Sequence, residues 1–231
     1  MSREPEQSGF NAWLNVLNGC SDVNNNPNCD RILVSSSFFG SQEFQLKGFY
    51  VFRFYKLAFN RLPQYAEIIP DMSFVAGATS AEVFQRKAQL ATNFTQRMEF
   101  ASTYGQLANA DYVNALLGRY QLTQITTPDP LNPDGTQKVI LTAADLVNRL
   151  NTNALTRAQA FRAIADSDQV GTMEFNNAFV AMQYYGYLRR TPETSGYNAW
   201  LNYLNGRPTD FRTMVNGFMN STEYRLRFGQ P

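Results

Sequence analysis

Cys20 and Cys29 are the only thiols in the chain, and between and just beyond them stand Asp22, Asn24, Asn26, Asn28 and Asp30. Two chemistries suit that stretch. The thiols can close a short loop as a disulfide, which stabilises by about 2–3 kcal/mol through loop closure. A disulfide implies an oxidising compartment, secreted, periplasmic or cell-surface. The alternative is a pair of free thiols. Two cysteines without histidine make a poor zinc site, and redox pairs are usually spaced Cys-x-x-Cys. The alternating oxygens are of the type that binds calcium. An EF-hand loop, however, needs glycine at its sixth position and glutamate at its twelfth, where this chain has Pro27 and Leu33. Asp22, Asn24, Asn26 and Asp30 therefore stand as calcium candidates on donor type alone, as do Asp129, Asn132 and Asp134 in a second loop. No other cofactor is expected.

The histidine count is zero, which removes the commonest general base and transition-metal ligand. Neither a Ser-His-Asp nor a Cys-His site can be built. Lys and Arg total 20 against 19 Asp and Glu, a balance that gives no basic surface for nucleic acid. Polar residues interrupt every longer apolar run, so no membrane insertion is expected. Glu43, Glu99 and Glu223 are the carboxylates whose placement invites a catalytic reading. They recur at one position of a repeated unit, which points to structural work at helix ends.

The repeat is written most plainly at the two ends. "PEQSGFNAWLNVLNG" (5–19) and "PETSGYNAWLNYLNG" (192–206) differ only at Gln7/Thr194, Phe10/Tyr197 and Val16/Tyr203. Both copies then reach Phe-x-x-Ser-x-Glu-aromatic, ending at Phe44 and Tyr224. A second copy carries Arg61-x-Pro63 and ends on Phe94, Glu99 and Phe100, with Arg97 replacing the serine. In the third, Leu150, Asn151 and Ser167 fall on Leu204, Asn205 and Ser221. It keeps Arg119 but lacks the proline, and gains an insert, "TQITTPDPLNPDGTQK". The repeat-structural residues are thus Arg3, Pro5, Trp13, Glu43, Arg61, Pro63, Glu99, Arg190, Pro192, Trp200 and Glu223. Ion pairs between repeats, from the arginines to the glutamates, are expected.

Each unit reads as helices. Phe211, Met214, Val215 and Phe218 fall at i, i+3, i+4 and i+7, one face at helical period. Ser221 is placed to cap the last short helix. An aromatic-rich leading helix precedes each Arg-x-Pro. The expected fold is all-α: an irregular array of about four degenerate repeats, near 1–48, 49–104, 105–171 and 172–231, in one helical domain. The first copy has no leading helix, so the chain is expected to be the C-terminal fragment of a larger protein. An apolar patch suited to dimerisation is then expected on that copy. Most aromatics of the leading helices should be core. Phe49, Tyr50, Phe54, Tyr184 and Tyr185, on helices aromatic nearly all round, are the candidates for a binding surface.

The motif "LRRTPETSGYNAWLNYLNG…FMNSTEYRLRFG" resembles a bacterial domain-of-unknown-function family of tandem helical modules, which look related to phycobilisome linker domains. The middle copies depart from its pattern. The resemblance implies a module of large secreted or surface-layer-type proteins, with no catalytic residue to carry over. The expected function is a non-enzymatic binding or assembly module of a secreted or cell-surface protein, whose partners are other protein modules, itself, or cell-surface glycan. An intracellular linker-type scaffold is the runner-up, and a hydrolase-like enzyme comes third.

Overall fold

The computed structural model describes residues 6–132 and 135–229, with the side chain of Glu43 left out. Arg3, Pro5 and Asp134, named above, lie outside the described residues, as does the Glu43 side chain.

The architecture is all-α with one small hairpin. Elements in chain order are α1 (Gln7–Asn18), α2 (Arg31–Phe39), α3 (Gln42–Phe44), a π-turn (Gln45–Phe49), α4 (Tyr50–Phe59), α5 (Tyr65–Phe74), α6 (Ser80–Thr95), α7 (Met98–Tyr104) and α8 (Asn109–Gly118). The hairpin β1 (Gln124–Pro128) and β2 (Lys138–Thr142) follows. Then come α9 (Ala143–Asn151), α10 (Arg157–Ala165), α11 (Asp168–Met173), α12 (Phe175–Gln183), a second π-turn (Tyr184–Leu188), α13 (Thr194–Gly206), α14 (Phe211–Met219) and α15 (Thr222–Phe228). The repeat therefore consists of a leading, a middle, a third and a short last helix.

Capping explains why the last helices begin where they do. The hydroxyls of Ser41, Ser167 and Ser221 accept from the backbone N–H of Phe44, Val170 and Tyr224, satisfying donors that a helix start leaves open. Arg97, at the same place in the second copy, makes no side-chain cap. Third helices are capped in the same way, by Asp30, Thr79, Thr156 and Asp210.

The hairpin corrects the loop-like reading of the third copy's insert. Its strands pair antiparallel with Ile125 opposite Leu141 and Thr127 opposite Val139. Ile125, Thr127 and Leu141 are buried, so β-branched residues flanking the Pro/Asp/Gly loop supply an alternating face.

Two compact units share these elements: one runs to Phe49 and resumes at Asn176, the other is Tyr50–Phe175. Each contains two repeats, with their third helices against each other, α2 on α14 in the first unit and α6 on α10 in the second. In the second unit the core is aromatic. Phe54 meets Phe161 at 4.8 Å and Phe94 at 5.3 Å between ring centroids, Phe94 stacks on Phe161 at 5.6 Å, and Phe100 meets Phe161 at 5.0 Å. Phe54, Phe94 and Phe161 are fully buried. In the first unit Phe39, Phe179 and Tyr187 form a second ring cluster. Phe161 lies at the centre of the first cluster. Replacing it by Ala should cost about 3–5 kcal/mol in urea unfolding, whereas Phe10→Ala, at a half-exposed ring, should change stability by less than about 1 kcal/mol. Similar losses in both variants would contradict this account of the core.

Candidate functional site

Of the residues that recur between repeats, the arginines have the clearest geometry. In the second copy, Arg61 donates from both terminal nitrogens to Glu67 at 2.8 Å, and from Nε and Nη2 to Glu99 at 3.0 and 2.8 Å. Its Nη1 also reaches the Leu62 carbonyl at 3.2 Å. In the fourth copy, Arg190 donates to Glu223 at 2.7 and 2.9 Å, to the Thr191 carbonyl at 3.1 Å, and to Glu193. Each guanidinium also lies 5.2 Å from the ring of the tyrosine six residues before it, Tyr55 or Tyr184. Pro63 and Pro192 sit between each arginine and the next helix. One planar cation thus ties the end of the leading helix to the start of the middle helix and to the last helix. Both pairs close inside a repeat and do not join repeats, which corrects the expectation above. Nothing in the spacing had marked Glu67 and Glu193 as partners.

These contacts hold Glu67, Glu193 and Glu223 ionised. Hydrogen bonds from Arg190 keep Glu223 below the usual carboxylate range; for Glu67 and Glu193 burial pulls upward most strongly of any one cause, but the arginine bonds, a backbone N–H and the arginine charge together leave both lowered. The same contacts raise Arg61 and Arg190. Acids lowered in this way are ill suited to give up a proton near neutral pH. In the third copy the arrangement is dissolved. Arg119 reaches the Ala58 carbonyl at 3.2 Å, and the position of Glu223 is taken by Gln169, which accepts from the Thr126 N–H in the hairpin at 2.9 Å.

Two buried aspartates, Asp30 and Asp71, and the part-buried Asp166 carry further ion pairs. Asp30, wholly buried, caps α2 through Leu33 N–H at 2.8 Å and receives the Arg212 guanidinium from α14. Asp71 takes Arg97 and the Tyr55 hydroxyl. Asp166 takes Arg53 and Lys87. Glu174 differs: burial pushes its carboxyl up, and the Tyr120 hydroxyl donates to it at 2.8 Å.

Cys20 and Cys29 are joined as a disulfide, with their Cα atoms 5.4 Å apart. The oxygens of the intervening loop are engaged locally. Asp22 Oδ1 accepts from the N–H groups of Asn24 and Asn25, Asn26 Oδ1 accepts from Asn28 N–H, and Asp30 faces Arg212. Asn24 contributes its backbone to that turn. In the other loop Asp129 Oδ1 accepts from Leu131 N–H. Among the described residues no group of three acidic or cysteine side chains is placed to hold a metal ion, and no helix is long and apolar enough to cross a membrane.

The five aromatics proposed as a surface are buried. Phe49, Tyr50, Phe54, Tyr184 and Tyr185 are all at most 3% exposed. A helix aromatic on every side looks partly exposed from sequence, but at these five positions the rings are enclosed. The exposed large apolar residues of the first unit lie elsewhere, at Phe10, Leu14, Phe38, Leu46, Leu226 and Phe228. Trp13 packs on Phe38 at 5.6 Å as Trp200 packs on Phe218 at 5.8 Å.

The duplicated middle helices then diverge. Tyr197 is 7% exposed and Leu204 wholly buried, whereas Phe10, at the position of Tyr197, is 46% exposed and no residue of α1 is buried. The Tyr197 hydroxyl donates to Asn177 in α12, and Asn176 of α12 donates to Asn205 at 3.0 Å. The third copy repeats the second bond, from Asn109 of α8 to Asn151 of α9 at 2.9 Å. Among the described residues α1 has no leading helix against it. Phe10 and Leu14, one turn apart on α1, are exposed.

Residues 169–228 match a family model described as Domain of unknown function (DUF4214). That stretch spans α12 to α15, and with them Arg190, Trp200 and Glu223. No curated protein and no solved structure matches the chain.

The Arg190 contacts give a pH prediction. Glu193 and Glu223 have lowered folded pKa values, so their contribution is fully present above the ordinary carboxylate range and is lost as pH falls through those lowered values. Arg190→Ala should cost about 0.5–1.5 kcal/mol at pH 7, a modest figure because these side chains are between a third and a half exposed and screened by solvent. The difference from wild type should shrink as pH falls through those lowered values, leaving only what the Thr191 carbonyl bond and the Tyr184 ring contribute. An undiminished difference there would contradict the assigned pairing.

Proposed function

We propose that the chain is a non-enzymatic assembly module of a secreted or cell-surface bacterial protein, and that what it binds is polypeptide. One observation carries this reading. The recurring charged side chains of the repeat are engaged in tying helices together, while an apolar helix face, Phe10 and Leu14 on α1, stands uncovered among the described residues. The matched family supports a module of this kind without naming a role. The location rests on the Cys20–Cys29 bond, which suits an oxidising compartment and counts against the intracellular linker-type alternative. Glycan recognition loses its candidates, because the tyrosines that would stack on sugar are buried.

Mass spectrometry of native material without reductant should find the Cys20–Cys29 cross-link intact in the secreted or cell-surface fraction. Free thiols in a cytosolic fraction would overturn the location. In the purified protein, Cys20→Ser together with Cys29→Ser should lower stability by about 2–3 kcal/mol, the loop-closure value for a cross-link of this short span.

A further inference from the structure

Gly9 and Gly196 occupy the same position in the two middle helices. A methyl group added at Gly196 would collide with the Tyr184 hydroxyl of the leading helix and with Glu193, whereas one added at Gly9 would meet nothing within 4 Å. Neither glycine has positive φ. A helical glycine costs roughly 0.5–1 kcal/mol relative to alanine. At Gly196 that cost is explained by the side chains that crowd it, the Glu193 carboxylate nearest and the Tyr184 hydroxyl next. At Gly9 none of the described structure requires it.

A second position on the face matches. Asn18 of α1 stands where Asn205 of α13 meets the helix beside it. Charge decides which of the chain's leading helices is the right template. From Gln7 to Asn18, α1 has no charged residue, and Phe175–Leu188 has none either, whereas α4 carries Arg53 and Lys56. An uncharged face costs least to desolvate against another uncharged face.

We propose that the Gly9 face of α1 docks an uncharged, asparagine-led aromatic helix from a partner polypeptide, of the type that Phe175–Leu188 presents to α13. The partner helix seats an aromatic ring over Gly9 and donates an asparagine amide to Asn18. It meets the Phe10 ring with carbon, because Phe10 lacks the hydroxyl that Tyr197 gives to Asn177. This deepens the assembly reading and rests on it only in taking the ligand to be polypeptide.

The test is a labelled peptide of sequence 175–188, with solubilising lysines at its ends, titrated into the full chain and followed by fluorescence anisotropy. Saturable binding is expected. It should weaken roughly tenfold or more, about 1.4 kcal/mol, in Gly9→Ala and when the asparagine corresponding to Asn176 is changed to Ala in the peptide. Changing the asparagine corresponding to Asn177 to Leu should leave binding equal or tighter. Gly9→Ala should fold with undiminished thermal stability, so loss of binding cannot be put down to unfolding. No saturable binding to wild type, or equal binding to Gly9→Ala, would overturn the proposal. So would Gly9-dependent self-association of the protein without peptide, which would assign the face to a second copy. Failure of the peptide leaves the disulfide and the location untouched, and a cytosolic location leaves peptide docking untouched.

Discussion

The contact between a repeat's leading helix and its middle helix is the interaction on which the rest depends. Leading helices such as α4 and α12 are too apolar to stand in water, with Phe52, Phe54, Val180 and Met182 all wholly buried. They must be covered on every side, so the middle and third helices arrange themselves around them. The middle helix accepts this contact at a glycine, where Tyr184 comes close to the backbone of Gly196, and at an asparagine, where Asn176 meets Asn205. Wherever that seat is filled, the middle helix gains a buried face. On α1 the same residues are present, and none of them is buried.

The arginine contacts serve this packing. A guanidinium at the end of the leading helix, rigid and able to bond two carboxylates in its own plane, joins the turn to the last helix while stacking over a tyrosine of the helix it ends. Its energy is modest because it is partly exposed. Its value is geometric: it fixes where the chain turns. The third repeat shows the dependence. Having lost the proline and the glutamate, it uses Arg119 on backbone carbonyl and gives Gln169 to the hairpin, and a two-stranded insert occupies the place where a tight Arg-x-Pro turn stands in its neighbours.

Much of the fold was legible because it is repeated. Comparing "PEQSGFNAWLNVLNG" with "PETSGYNAWLNYLNG" isolates Trp13 and Trp200, and the serines at 41, 167 and 221 announce their caps. The cysteine pair was legible from spacing alone. What was not legible depended on partners distant in the chain. Asp30 and Arg212 meet only because α2 and α14 pack together, and no local pattern marks either. Glu67 and Glu193 were hidden because they stand at different spacings after their arginines. The aromatics at 49, 50, 54, 184 and 185 were misassigned because period alone cannot distinguish a helix exposed on one side from one enclosed on all. Gly9 and Gly196 were visible as letters, but only a packed neighbour at one and open space at the other reveal what they do.

Two helices of nearly one sequence in two environments allow the central claim to be measured within a single molecule. Hydrogen–deuterium exchange on the intact protein compares α1 with α13 directly, since their intrinsic exchange rates are almost the same. Amides around Leu204, wholly buried in α13, should be protected well beyond those around Leu17 on α1, which buries no residue. Equal protection of the two helices would contradict the claim that the leading helix is what holds each repeat together.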